Sequence, residues 1–211
     1  MKAWARAWQS KVAYLAGKDK DALDLARDGR DYGKEGPQAV RLVLAEARVL
    51  AHCGDPDRAK AALQHALELR APPPEPATLG CLLSFQPMTT GRFCSEVAGA
   101  CLDLGEAQMA RRYAHDALAA HGSEDWPVTR ALALFDVALA HLSGKAADPS
   151  AAATYIREAI NITTVHDISS EVLAARAYSV VIASRAWAEH PDMVHPARLE
   201  AFARAVRPDP W

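Results

Sequence analysis

CGDPDRAKAALQHALEL at residues 53–69 and LGEAQMARRYAHDALAA at residues 104–120 are two copies of one pattern. With Gly54 set on Gly105, Ala59 falls on Ala110, Ala66 on Ala117 and Leu67 on Leu118, and an apolar residue precedes each glycine. A glycine that ends one amphipathic helix, followed by small residues at fixed offsets in the next, indicates stacked helical hairpins. The small side chains let the helices approach closely. A larger one there would overpack the seam, at a cost of ~1–3 kcal/mol per site.

The pattern extends in both directions. Gly17 opens an upstream copy, with Ala22 and Ala26 on its face and Gly29 where the other copies have alanine. Ala152, Ile156 and Ala159 carry a downstream copy. The first face of the second hairpin is marked by Leu42, Ala45, Val49 and Leu50, and the opposing face by Ala59, Leu63, Ala66 and Leu67, at helical spacing. Asp55-Pro56, Asp148-Pro149 and His195-Pro196 put proline at a first helical position, and the two aspartates can cap the free N–H groups there. These signals predict helices over 3–16 and 20–32, 37–53 and 56–69, 90–104 and 106–120, 128–142 and 149–161, and 170–188 and 196–206. The expected architecture is all-α: a right-handed superhelix of about five hairpins (about 3–32, 37–69, 90–120, 128–161 and 170–206) in one domain spanning 1–211.

The two clean copies start 51 residues apart, whereas tetratricopeptide units recur about every 34 residues. The surplus is an irregular insertion, residues 71–88. Its proline cluster, APPPEP, cannot be helical. Leu79, Cys81, Leu82, Leu83 and Phe85 then make it apolar, so it is expected to pack over one end or face of the stack, as a plug or as a ligand lid.

Composition narrows the function. A net charge of −2 over 211 residues offers no footprint for nucleic acid and no attraction to an anionic membrane. No apolar run reaches the roughly 20 residues that span a bilayer, and basic residues break up the N-terminus. Cys53, Cys81, Cys94 and Cys101 lack CxxC spacing, so reduced thiols and a cytoplasmic setting are expected. GxSxG, HExxH and phosphate-cradling glycine loops are absent, which points to a non-enzymatic protein without a cofactor. His190, Asp192 and His195 share one loop but lack a ligand spacing, and read as solvated side chains rather than a metal site. Cys94 and Cys101, seven apart on one helix face, read as core.

The Gly-Ala-Ala spacing resembles tetratricopeptide (TPR) repeats in a degenerate form. A closer likeness covers nearly the whole chain: residues 42–69, LLSFQPMTTGRFCSEVAGACLDLGEAQMARRYAHDAL, VTRALALFDVALAHL and SEVLAARAYSVVIA are similar to the C-terminal TPR-like domain of actinobacterial helix-turn-helix regulators of the XRE type. Phe85-Gln86-Pro87 matches an aromatic-proline segment of that family. Its members carry an N-terminal DNA-binding helix-turn-helix, whereas the first helix here already belongs to the array. The chain is then either a fragment of a regulator or a stand-alone relative, and DNA contact is expected only through a module absent from this chain.

The resemblance also implies where recognition occurs. In TPR arrays the first helix of each hairpin lines an inner groove, which here assigns Arg41, Leu44, Arg48 and His52, then Arg92, Ser95, Leu102 and Asp103. Arg41, Arg48 and Arg92 would form a cationic strip suited to a carboxylate or phosphate. Against that stands a solvated or salt-bridged face, since Glu46 and Glu96 lie close by in sequence. Trp4 and Trp8, at i and i+4, either cap the array or mark a docking surface for a missing domain or a second copy. The expected role is a sensor that binds a peptide, protein or small-molecule effector. The alternative is an adaptor that holds a protein partner constitutively.

Overall fold

The computed structural model describes residues 2–69, 88–120 and 127–207. Residues 71–87 of the insertion, with Cys81 and Phe85-Gln86-Pro87, lie outside them, as does Trp126. The described residues form helices, in two compact units, Met1–Leu104 and Gly105–Trp211. The boundary falls in the turn of the third sequence hairpin.

The first unit contains α1 (Lys2–Leu15), α2 (Asp19–Tyr32), α3 (Gly36–His52), α4 (Pro56–Glu68) and α5 (Thr90–Asp103). Helix α3 is its centre and touches α1, α2, α4 and α5. That position explains its composition: Leu42, Val43, Leu44, Ala47, Val49 and Leu50 are all buried, each large apolar side chain contributing ~1.5–3 kcal/mol. The second unit contains α6 (Ala107–Ala120), α7 (Pro127–Leu142), α8 (Pro149–Val165), α9 (Glu171–Ser184), a 3₁₀ turn (Arg185–Trp187) and α10 (Pro196–Ala205). Its centre is α7, packed on α6, α8 and α9.

The glycine-alanine pattern does what its spacing requires. Gly17, Gly54 and Gly105 have φ of +70°, +76° and +75°, the left-handed conformation that ends a helix at least cost when no Cβ is present. Ala22, Ala59, Ala66, Ala110, Ala117, Ala152 and Ala159 are completely buried. Gly29, at the alanine position of the first hairpin, sits at a tighter seam. A Cβ on it would come within 2.5 Å of Leu42 Cδ2 and 2.9 Å of Arg6 Cβ.

Caps set the helix starts. Asp55 accepts a hydrogen bond from the Arg58 amide (3.3 Å) and Asp148 from the Ala151 amide (2.9 Å), and helices begin at Pro56, Pro149 and Pro196. Two ends depart from the sequence reading. Helix α8 runs to Val165 instead of Asn161, and within its last turn the Thr163 and Thr164 hydroxyls donate to the carbonyls of Ala159 and Ile160 at 2.8 and 2.9 Å. Helix α9 stops at Ser184 instead of Ala188. There the Ser184 hydroxyl donates to the Val181 carbonyl at 2.8 Å, and the chain tightens into the 3₁₀ turn.

Candidate functional site

Polar side chains of α1, α3 and α5 come together in the first unit, and the terminal glycines supply the register. Thirteen residues before Gly17, Gly54 and Gly105 stand Trp4, Arg41 and Arg92; nine before, Trp8, Ala45 and Glu96; six before, Lys11, Arg48 and Gly99. Steps of four and three residues keep these positions on one helix stripe. Trp8, Lys11, Tyr14, Arg41, Arg48, Arg92 and Glu96 line one cleft, together with small residues such as Ala45. Its free volume is about 40 Å³, room for a few waters only.

Ion pairs tie the three helices together. Lys11 Nζ donates to Glu96 Oε1 at 3.0 Å. Arg48 Nε and the Tyr14 hydroxyl both donate to Asp103 Oδ2, at 2.9 and 3.1 Å. Arg48 also lies 3.7 Å from Glu96 and stacks over the Tyr14 ring at 5.0 Å. It fits because α5 has glycine opposite: a Cβ at Gly99 would approach Arg48 Cζ to 3.1 Å. Trp8 carries two cations on its ring, Lys11 and Arg92, each 5.9 Å from the centroid. Trp4 meets Trp8 edge-on at 6.2 Å.

The titration behaviour follows from these contacts. Burial opposes charge on Arg48, but Asp103, Tyr14 and Glu96 outweigh it and hold the guanidinium above its ordinary value. Burial likewise favours the neutral form of Glu96, yet Lys11 and Arg48 keep it well below the usual carboxylate range. Arg41 differs. Burial and the like charge of Arg92 push it down to about 10, with Glu96 offsetting only part. Among the described residues, Lys11, Arg41, Arg48 and Arg92 line the cleft with Glu96, and like-charge repulsion acts between Arg41 and Arg92.

The groove assigned from sequence is rearranged by this geometry. Arg41, Arg48 and Arg92 do meet, and Asp103 joins them as the partner of Arg48 instead of a separate contact. Leu44 does not line the cleft: it is 1% exposed, in the core, and its neighbour Ala45 faces the opening. Ser95 and Leu102 are half-buried outside the lining. His52 turns to Asp19, 3.0 Å away, and touches the cleft only through an edge contact with Tyr14 at 5.6 Å. Trp4 and Trp8 are half-buried, and Trp8 is a cleft wall. Lys11 and Tyr14 were not assigned to the groove, and Glu96 was read only as a nearby acid that could make the face salt-bridged. Counting back from each glycine would have found Lys11 and Glu96.

Other polar groups are engaged elsewhere. A second hollow near Arg27, Arg30, Lys34 and His65 holds about 400 Å³, but Arg27 and Arg30 are both spent on the buried Glu46, at 2.9 and 2.8 Å. His190 and His195 accept backbone N–H groups from Asp192 and Ala197, while the Asp192 carboxylate accepts from the Ser150 hydroxyl. Among the described residues no group of three or more histidine, cysteine or acidic side chains is placed to hold a metal, and no helix is long and apolar enough to cross a membrane. Cys94 and Cys101 are buried.

Solved structures share this fold. A kinesin-light-chain-type protein of Podosopora anserina with nearly identical TPR-like repeats superposes with a TM-score of 0.56 at 14% identity, covering 96% of this chain and 93% of that one. A single-substitution variant of it gives 0.58 at 15% identity, covering 96% and 92%. The chain thus has a TPR-like repeat fold. No family model matches the sequence, and no curated protein does.

Proposed function

We propose that the protein is an interaction module whose α1/α3/α5 cleft receives an acidic segment of a partner protein. The observation that carries this reading is the presence of two arginines, Arg41 and Arg92, in one cleft beside Trp8. Arg41 and Arg92 line the same cleft, and the like charge of Arg92 lowers the Arg41 pKa. A carboxylate set between the two arginines relieves that repulsion through charge-assisted hydrogen bonds. Trp8 supplies the apolar wall beside it. The cleft admits one side chain, so the rest of the segment lies over its rim, and Lys11 and Arg92 change rotamer on entry.

Two finer readings attach to this module. As the sensor of a helix-turn-helix transcription regulator, supported by the sequence resemblance, it signals effector binding to DNA through a separate module or a second copy. As an adaptor, it holds a protein partner constitutively. The fold supports interaction in either case, and neither requires catalysis. Binding is tested by titrating the protein with Asp/Glu-rich peptides and following Trp fluorescence. Replacing Arg41 and Arg92 together by alanine should weaken binding at least about tenfold, with the steep salt dependence of a charge-driven contact. Equal binding by the double variant would refute the cleft as the site.

A further inference from the structure

The second unit holds a separate polar cluster, built from α6, α7 and α8. His115 of α6 and His141 of α7 meet Nε2 to Nε2 at 3.2 Å, with their rings perpendicular at 88°. Tyr155 of α8 closes the third side. It stacks on His141 at 5.6 Å between centroids and meets His115 edge-on at 5.7 Å. His141 is buried, and its Nδ1 has no hydrogen-bond partner among the described residues. Arg111, one turn before His115, donates to the Ala146 carbonyl at 2.9 Å, which holds a cation at the loop leaving α7.

This geometry limits the number of protons the pair accepts. A hydrogen bond between two imidazole nitrogens needs one donor and one acceptor. The neutral pair satisfies it, and so does the pair with one added proton. With two, both Nε2 atoms are donors at hydrogen-bond distance and two positive rings face each other beside Arg111. We propose that His115 and His141 form a one-proton clasp, which fastens α6 to α7 near neutral pH and releases it in acid when the second imidazole is protonated.

The surrounding charges support the same direction. Burial, then Arg111 and His115 from α6, hold His141 below the ordinary imidazole range, and Asp148 at the start of α8 offsets only part. Tyr155 is the other titratable group on α8 facing the pair. Helix α9 directs Arg176 to Asp136, at 2.9 Å, instead of to the clasp. The unfolded chain, with His141 near its ordinary value of about 6.5, binds more protons than the folded one. The contribution to stability is therefore complete above that pH and lost as pH falls below it.

Hydrogen exchange of the full chain at pH 7.5 and 5.5, corrected for intrinsic rates, tests the clasp. Protection of the α6 amides should fall about tenfold in the native protein. In His115→Phe, which keeps a ring against Tyr155, burial and Arg111 still act on His141, so the change should shrink to about threefold without vanishing. Equal pH dependence in both proteins, or none in the native one, overturns the proposal. Imidazole resonances of the native protein decide the matter if the variant fails to fold. His141 must titrate below the ordinary imidazole value of about 6.5, and titration of His141 at that value also overturns it. Zinc-induced stabilisation that requires both histidines would replace the clasp with a metal site.

Discussion

Gly54 and Gly144 both end the first helix of a hairpin, with φ of +76° at each, yet the helices before them use the same stripe in opposite ways. Counted back from Gly54, the stripe of α3 is Arg41, Ala45 and Arg48, and it faces the charged cleft. Counted back from Gly144, the stripe of α7 is Ala131, Phe135 and Ala138, and all three are completely buried. In the second unit α9 packs on α7, and Phe202 of α10 meets Phe135 with centroids 6.0 Å apart. The repeat therefore determines which positions share a face. The elements packed outside that face decide whether it lines a cleft or becomes core.

The largest effect should come from exchanging the two environments. Ala138→Arg places the cation of α3 in the buried stripe of α7, without a carboxylate to pair it. It should destabilise the second unit by ~4 kcal/mol or more, read as loss of the cooperative urea transition. Removing a cation from the cleft should cost somewhat less. Arg48→Met leaves Asp103 with Tyr14 and Glu96 with Lys11, and should lower stability by ~3 kcal/mol in the same experiment. If it proves neutral, the ion pairs of the first unit serve recognition and not stability, which sharpens the contrast with α7. Gly99→Ala is the mildest change. Its methyl meets the end of the Arg48 side chain, which can shift, so a loss of ~1 kcal/mol by thermal unfolding is expected. A gain in stability would mean that Arg48 is not held against α5.

The difference between Leu44 and Ala45 shows where sequence reading stopped. One residue is a rotation of about 100° on a helix, and both residues suit an apolar pattern. Only the packing of α1 and α5 on α3 directs Leu44 inward and Ala45 to the cleft. Glu96 was visible only as a nearby acid. Its role depends on α5 bringing it to Lys11, which lies 85 residues earlier in the chain. The same holds for His115 and His141, unremarkable as single histidines until α6 and α7 bring their nitrogens together.

By itself the sequence determined the hairpins, their glycine ends, their proline starts and the buried alanine seams. These follow from backbone conformation and helix periodicity, which act over a few residues. The charged cleft, the pairing of Arg48 with Asp103, the burial of the corresponding stripe in α7 and the meeting of His115 with His141 were decided by tertiary structure. Each depends on desolvation and Coulomb interaction between side chains on different helices, and those terms take their magnitude only once the helices have packed.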